Sequence, residues 1–251
     1  MQKDGPPDAS SIDPLAAFDG VCLRDEHDGH PVLQDICLSV HPGRALHICV
    51  EDDFGSARRL ADLLCGIRHP DRGRVCAFGR DWTACAPREA ADLRARIGRV
   101  FSGVAWLSNL DMDENLLLAA RHHAGGPDSG WRERAEAWAV RFGLDRLPEG
   151  RPAWIDERTS QIAQWVRAFL LDPELLVLQD PLSGVPHVSA EALAGALAER
   201  CERGAAVVWF ARRSSWISSS GLPGRPIGYR LRAGRLVSET VLPSVDGGRG
   251  V

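Results

Sequence analysis

The side chains best suited to chemistry in this chain gather at four points. These are the acidic run Glu51, Asp52 and Asp53 with Arg58 and Arg59 just beyond it, the pair Asp156 and Glu157, the pair Gln179 and Asp180, and Arg212. Asp180 follows an apolar run, LLVLQ, so a strand could present it as a general base, but such a base needs a proton within hydrogen-bond reach. The bland alternative is a solvated loop carboxylate. Arg58, Arg59 and Arg212 could together hold an anion, since each guanidinium offers a fixed fork of donors, yet exposed arginines on a helix face are the simpler expectation. His122 and His123 are adjacent, should leave one helix in different directions, and so read as surface residues and not as metal ligands. Seven cysteines, at positions 22, 37, 49, 65, 76, 85 and 201, show no C-x-x-C pair and fall mostly in apolar patterns. Buried reduced thiols are expected, with no metal site.

Positioning these groups requires a set of strands and helices that the sequence outlines. PVLQDICLSVHPGRALHICV gives an extended segment, a Pro-Gly turn and a strand alternating at Leu46, Ile48 and Val50. The next stretch, VEDDFGSARRLADLLCG, reads as a loop and a helix capped by Ser56, with Leu60, Leu63 and Leu64 on one face and Gly66 at its end. Extended segments at Val21 to Arg24, Val32 to Val40 and Arg74 to Phe78 predict an antiparallel edge layer. LLVL at Leu175 to Leu178 and AVVWF at Ala206 to Phe210 are continuous apolar runs suited to a buried parallel sheet. Between these groups lie helices: Asp111 with Glu114 makes a capping-box start, Trp131, Ala135, Trp138 and Phe142 recur at helical spacing, and Ile162, Trp165, Val166, Phe169 and Leu170 line another face. The tryptophans on those faces read as core packing.

Composition bounds the rest. At 251 residues, 44% hydrophobic and 25% charged, with a net charge of -4, the chain reads as one globular domain of two lobes and not as a nucleic-acid binder. Residues 1–15 and 243–251 lack apolar patterning and are expected to be disordered, leaving a body over 16–242 with a helical lobe over about 109–171. MQKDGPPDASS has no apolar core for a signal peptide, and no apolar run is long enough for a bilayer span, so a cytoplasmic protein is expected.

The strand, loop and helix around Val50 to Gly66 resemble the opening of an ABC transporter ATP-binding subunit, and LLDPELLVLQDPLSGV at Leu170 to Val185 resembles that family's Walker B strand and the turn after it. The resemblance runs from about Phe18 to Val241. It implies an α/β, P-loop NTPase-like ABC ATPase fold, a mixed sheet core with an antiparallel edge layer and a helical lobe. Laid on the family's G-x-x-x-x-G-K-[ST] loop, the glycine positions fall on Glu51, Phe54 and Ser56, the lysine on Ala57 and the magnesium-binding hydroxyl on Arg58. A phosphate loop needs glycines so that successive N–H groups can converge on the anion. Phe54 would block that approach, the acidic run would repel a phosphate, and Lys3, the only lysine, lies far away in sequence. The Walker B aspartate falls on Gln179 and the catalytic glutamate on Asp180, one methylene shorter.

The remaining stations are altered in the same way. The L-S-G-G-Q signature falls on Ile155, Asp156, Glu157, Arg158 and Thr159, where Asp156 and Glu157 suit a helix N-terminus but would oppose a partner's nucleotide. Ser102 stands in the glutamine position of the Q-loop, Arg212 in that of the switch histidine and Pro186 in that of the D-loop aspartate. The adenine-stacking aromatic has only His27, Asp28 and His30 as candidates, with solvated loop residues as the default. RVFSGVAWLSNLDMDENLLLAARHH at Arg99 to His123 is worded most like the ATPase subunits of Mla- or MCE-type phospholipid-trafficking transporters.

The resemblance therefore implies a pseudo-ATPase subunit with no intact catalytic residue, expected not to bind the ATP and magnesium of its relatives. Its role would be structural or regulatory, peripheral on the inner face of the cytoplasmic membrane through a permease, in lipid transport on the wording above. Trp106, Leu107 and Leu110 would form an apolar anchor set for that permease, and a second ABC ATPase or another copy of the chain would be the other partner. Two alternatives stand beside this reading: an active ATPase with a rebuilt site using Arg58, Arg59 and Asp180, and a freestanding interaction module.

Overall fold

The computed structural model describes residues 13–51, 54–103, 105–123, 128–212 and 226–239. Residues 13–15 are not part of a loose tail as expected: Leu15 packs against the core and its N–H donates to the Val40 carbonyl at 2.7 Å. The rest of the expected tails, 1–12 and 243–251, lies outside the described residues, as do Asp52 and Asp53.

Two sheets organise the chain. Strands β1 (Ala16–Arg24), β2 (Pro31–Val40), β4 (Arg72–Ala77) and β5 (Arg80–Asp81) form an antiparallel sheet in the order β2-β1-β4-β5. Strands β3 (Ala45–Val50), β6 (Ile97–Val100), β7 (Leu175–Gln179), β8 (Ala206–Ala211), β9 (Ile227–Arg232) and β10 (Arg235–Glu239) form the second, in the order β10-β9-β3-β8-β7-β6. All its pairings are parallel except the β9–β10 hairpin, so it is mixed.

One core fills the space between the sheets around helix α1 (Phe54–Leu64), whose Leu60, Leu63 and Leu64 turn inward. Ser56 does not cap this helix. It lies inside the first turn, because the helical dihedrals already begin at Phe54. A short helix, α2 (Pro87–Ala95), leads into β6. The second core lies on the other side of the parallel strands, under α3 (Met112–His123), α4 (Asp128–Arg141), α5 (Glu157–Phe169) and α6 (His187–Glu202). One half of the capping box forms: the Glu114 carboxylate accepts from the Asp111 N–H at 2.8 Å, while the Asp111 carboxylate pairs with Arg151. Trp138 stacks on Phe142, and Phe142 meets Trp165 edge to face at 5.5 Å. Gly98 has no side chain for a reason of space, since a Cβ there would lie 2.2 Å from the Ala168 carbonyl of α5.

The alternation read into β3 understates its burial. All six residues are buried, because β3 is paired on both edges by β8 and β9 and covered on both faces. His47 is consequently only 3% exposed, and its Nε2 has no partner. Burial pulls its pKa from 6.5 down to about 4. The folded state holds it neutral while the unfolded chain takes up a proton near pH 6.5, so its contribution is fully present above that pH and is lost as the pH falls toward 4. The loss should reach about 3 kcal/mol, and His47→Phe should flatten that part of the profile in urea unfolding at pH 7 and pH 4.5.

The cysteines are free, as read, but only Cys49, Cys65 and Cys201 are buried, and Cys37 is exposed. Cys37 lies in β2 of the antiparallel sheet, whose residues alternate between core and solvent.

Candidate functional site

Parallel strands aim everything after their carboxyl ends to one side of a sheet, which is where α/β folds carry their sites. Glu51 follows β3, Ser102 follows β6, Gln179 ends β7 with Asp180 after it, and Arg212 follows β8. The sequence's scattered candidates are therefore brought to one rim of the sheet. Asp156, Glu157 and Trp106 belong to the neighbouring helical lobe.

At the rim, the side chains are committed to one another. The Glu51 carboxylate is ion-paired to Arg230 and lies 3.5 Å from the Arg232 guanidinium, and its N–H donates to the Leu231 carbonyl at 3.2 Å. Arg230 also pairs with Glu239, so the β9–β10 hairpin is tied to the start of the loop. Phe54 opens α1 with the Arg212 guanidinium 4.7 Å from its ring centroid. Ala57 is fully buried in the core. Arg58 is exposed, whereas Arg59 is not the free helix-face cation expected: it is partly buried and pairs with Asp25 at 2.5 Å. That pairing closes α1 onto the β1–β2 turn, where His27, Asp28 and His30 are exposed.

Gln179 is 1% exposed, and its Oε1 accepts from Arg99 Nη2 at 3.1 Å. The same nitrogen pairs with Asp62 of α1 at 2.5 Å, and the guanidinium lies 4.3 Å from the Phe101 centroid. Beside the neutral Gln179 there is thus an internal cation already balanced by a carboxylate. Sequence reading missed Arg99 and Asp62. A signal existed: an arginine inside the short apolar strand IGRV needs a buried partner, and Asp62 lies on α1, which packs against the neighbouring β7.

Asp180 is not a solvated loop carboxylate. It is partly buried at φ +45°, its N–H donates to the Phe210 carbonyl at 2.8 Å, and burial raises its pKa, with the charge of Arg212 opposing that shift. It faces a cavity of about 490 Å³ with Ser183, His187, Trp209 and Arg212. The turn is fixed from the helical lobe, since Trp165 Nε1 and Gln161 Nε2 both donate to the Pro181 carbonyl, at 2.9 and 3.0 Å.

Asp156 is the N-cap of α5, accepting from the Thr159 N–H at 2.9 Å, and that bond holds its carboxyl below the usual range. Glu157 follows in the first turn, exposed. Ser102 is exposed as well, but the segment around it is pinned to α5. The Phe101 N–H donates to Gln164 Oε1 at 2.9 Å, Gln164 Nε2 to the Gly103 carbonyl at 3.1 Å, and Trp106 Nε1 to Ser160 Oγ at 2.8 Å.

Trp106 and Leu107 line a cleft of about 580 Å³ with Leu118, Ala119, His122 and His123. Leu110 is not among its lining residues, because the Leu107 to Leu110 turn folds away around Asn115, whose Nδ2 donates to both the Leu107 and Leu110 carbonyls. The two histidines do share one site. They end α3, their rings meet edge to face at 4.6 Å, and both reach the same cleft. Among the described residues, no group of three or more His, Cys, Asp or Glu side chains could hold a metal ion.

At the positions that the resemblance gives to the phosphate loop and the metal stand the Glu51 carboxylate, paired with Arg230, the Phe54 ring beside Arg212, and the Gln179 amide, which accepts from Arg99.

This architecture, with its parallel-strand rim and helical lobe, is that of ABC ATPase domains. A dimeric, post-hydrolysis ATP-binding cassette bound to ADP and phosphate superposes with a TM-score of 0.77 at 18% identity, over 89% of this chain and 98% of that one. No family model matches the chain. It is 29% identical over 163 residues to the macrolide export ATP-binding/permease protein MacB of Syntrophobacter fumaroxidans, covering 64% of this chain and 23% of that protein. Against the Fe(3+) ions import ATP-binding protein FbpC of Brucella suis it is 28% identical over 153 residues, 61% of this chain and 41% of the relative. The chain thus spans less than half the length of these relatives. Its sequence is similar to those of ABC transporter ATP-binding proteins, and its fold is that of ABC ATPase domains.

Proposed function

We propose that this chain is a structural or regulatory ABC subunit that does not turn over ATP and works docked on a membrane permease. The observation that carries the reading is the internal occupation of the nucleotide rim, where Glu51 is held by Arg230 and Arg232, and Gln179 by Arg99, itself paired with Asp62. An active enzyme with a rebuilt site is disfavoured by the same geometry, since Arg59, one of its phosphate-binding candidates, is already paired with Asp25. Relatives named for export and for import support transport in general. A lipid cargo rests on the wording of the Arg99 to His123 segment alone. Among the described residues no helix is long and apolar enough to cross a membrane; in this reading attachment runs through the permease.

The docking surface in this reading is the cleft beside Trp106. Its walls are largely apolar, Leu107 is half exposed, and aromatic anchors commonly carry much of an interface's energy. Leu107→Asp should remove the chain from membrane fractions and leave its unfolding midpoint within a few degrees of the wild type. Trp106→Ala should do the same at some cost in stability, because it also loses the bond to Ser160. Sedimentation with membranes from cells expressing the native partners, beside thermal unfolding, is the test. Wild-type chain that never sediments, or Leu107→Asp chain that sediments fully, sinks this docking site.

A further inference from the structure

A separate cavity of about 150 Å³ lies outside the rim, along the free edge of β6. Ala95 and Arg94 of α2, Ile97, Gly98 and Arg99 of β6, and Phe101 form one side of it; His123 of α3 and Arg167 of α5 close the other. Three arginines from three elements and one histidine therefore line a space with no carboxylate among its lining residues.

Their hydrogen-bonding capacity is not used up. Arg99 is 92% buried, as follows from its 8% exposure, and uses Nη2 on Asp62 and Gln179, while its Nε and Nη1 are buried without a partner. Arg167 spends Nη1 on the Ala105 carbonyl at 2.7 Å and leaves Nη2 buried and unpartnered. The two guanidinium carbons lie 4.3 and 5.4 Å from the centroid of Phe101, which ties both cations to one ring. Burial and the charge of Arg99 pull the Arg167 pKa down to about 10, the mark of a cation lacking a counter-charge. Arg94 reaches the carbonyls of Cys65 and Gly66. The acidic groups acting here are Asp62, spent on Arg99, and Asp92, which acts on His123.

Buried donors without acceptors are costly, and three of them, Arg99 Nε and Nη1 and Arg167 Nη2, belong to two of the arginines that line this void. We propose that this cavity binds one small tetrahedral oxyanion of the phosphate class, held by Arg99 and Arg167 with Arg94 at the mouth. A cavity of this size has room for more than one water and therefore for one small oxyanion. The site shares Arg99 with the contacts that hold Gln179 but uses no residue of the former phosphate loop.

Inorganic phosphate titrated calorimetrically into the full chain, with sodium chloride holding ionic strength constant, is the test. Saturable one-to-one binding is expected. Arg167→Met should weaken it about tenfold or more, and Arg94→Gln, at an exposed position, should weaken it measurably. Arg58→Gln, outside the cavity lining, should bind as the wild type does. Absence of saturable binding overturns the proposal, as does an affinity unchanged in Arg94→Gln, which decides the matter if Arg167→Met fails to fold. Loss in Arg58→Gln with Arg94→Gln unaffected would place the anion at the former phosphate loop and overturns it equally.

Discussion

Titration of the purified chain with magnesium ATP should give no heat in the micromolar range, and phosphate release should stay at background. The expectation follows from charge and space at the rim. A γ-phosphate brought to about 5 Å from the Glu51 carboxylate meets roughly 3 kcal/mol of repulsion per unit charge at an effective dielectric near 20. Glu51 cannot swing aside cheaply, since two arginines of β9 hold it. Restoring the lysine alone should not help. Ala57 is fully buried, so Ala57→Lys forces an ammonium into the core between α1 and the sheets, and the change should lower stability by several kcal/mol before it offers a phosphate anything. Reverting Glu51→Gly, Phe54→Gly, Ser56→Gly, Ala57→Lys, Arg58→Ser and Gln179→Asp together is the variant in which nucleotide binding could return. Micromolar ATP binding by the unaltered chain would refute the account of the rim.

The frame of this molecule was legible because periodicity reports burial. The apolar runs of β7 and β8, the inward faces of α1 and α5, and the Asp111–Glu114 box each depend on residues a few positions apart, and each has the place read for it. The β9–β10 hairpin was not read, and it supplies the Arg230 that holds Glu51. The candidate site was legible only as a set of positions. What joins them is long-range: Arg59 meets Asp25 and Arg99 meets Asp62 and Gln179 across separations of 34, 37 and 80 residues. Local pattern carries no information on such pairs. The same limit explains the misreadings of Ser56 and Leu110, where a one-turn difference in the helix start or the fold of a turn decides the outcome.

A mixed dimer of this chain with an intact ABC ATPase should hydrolyse ATP at least about tenfold more slowly than that ATPase alone, a cost of roughly 1.4 kcal/mol or more in the barrier. The argument rests on composite sites, in which the resemblance places each nucleotide between one subunit's phosphate loop and the other's signature helix. One site of the mixed dimer would have this chain's rim. The other would have its Asp156 and Glu157 at the N-terminus of α5, where an anion would otherwise be welcomed by the helix dipole. Asp156 already accepts the Thr159 N–H, so the donor that a γ-phosphate would use is taken, and its carboxyl stays ionised well below neutral pH. Turnover measured on the purified mixed dimer tests this directly. Asp156→Ser with Glu157→Gly in this chain should recover part of the rate at the second site while leaving the first silent, so the gain should not exceed about half of the active homodimer's turnover per dimer. A mixed dimer as fast as the homodimer would mean that the α5 N-terminus never reaches the partner's nucleotide.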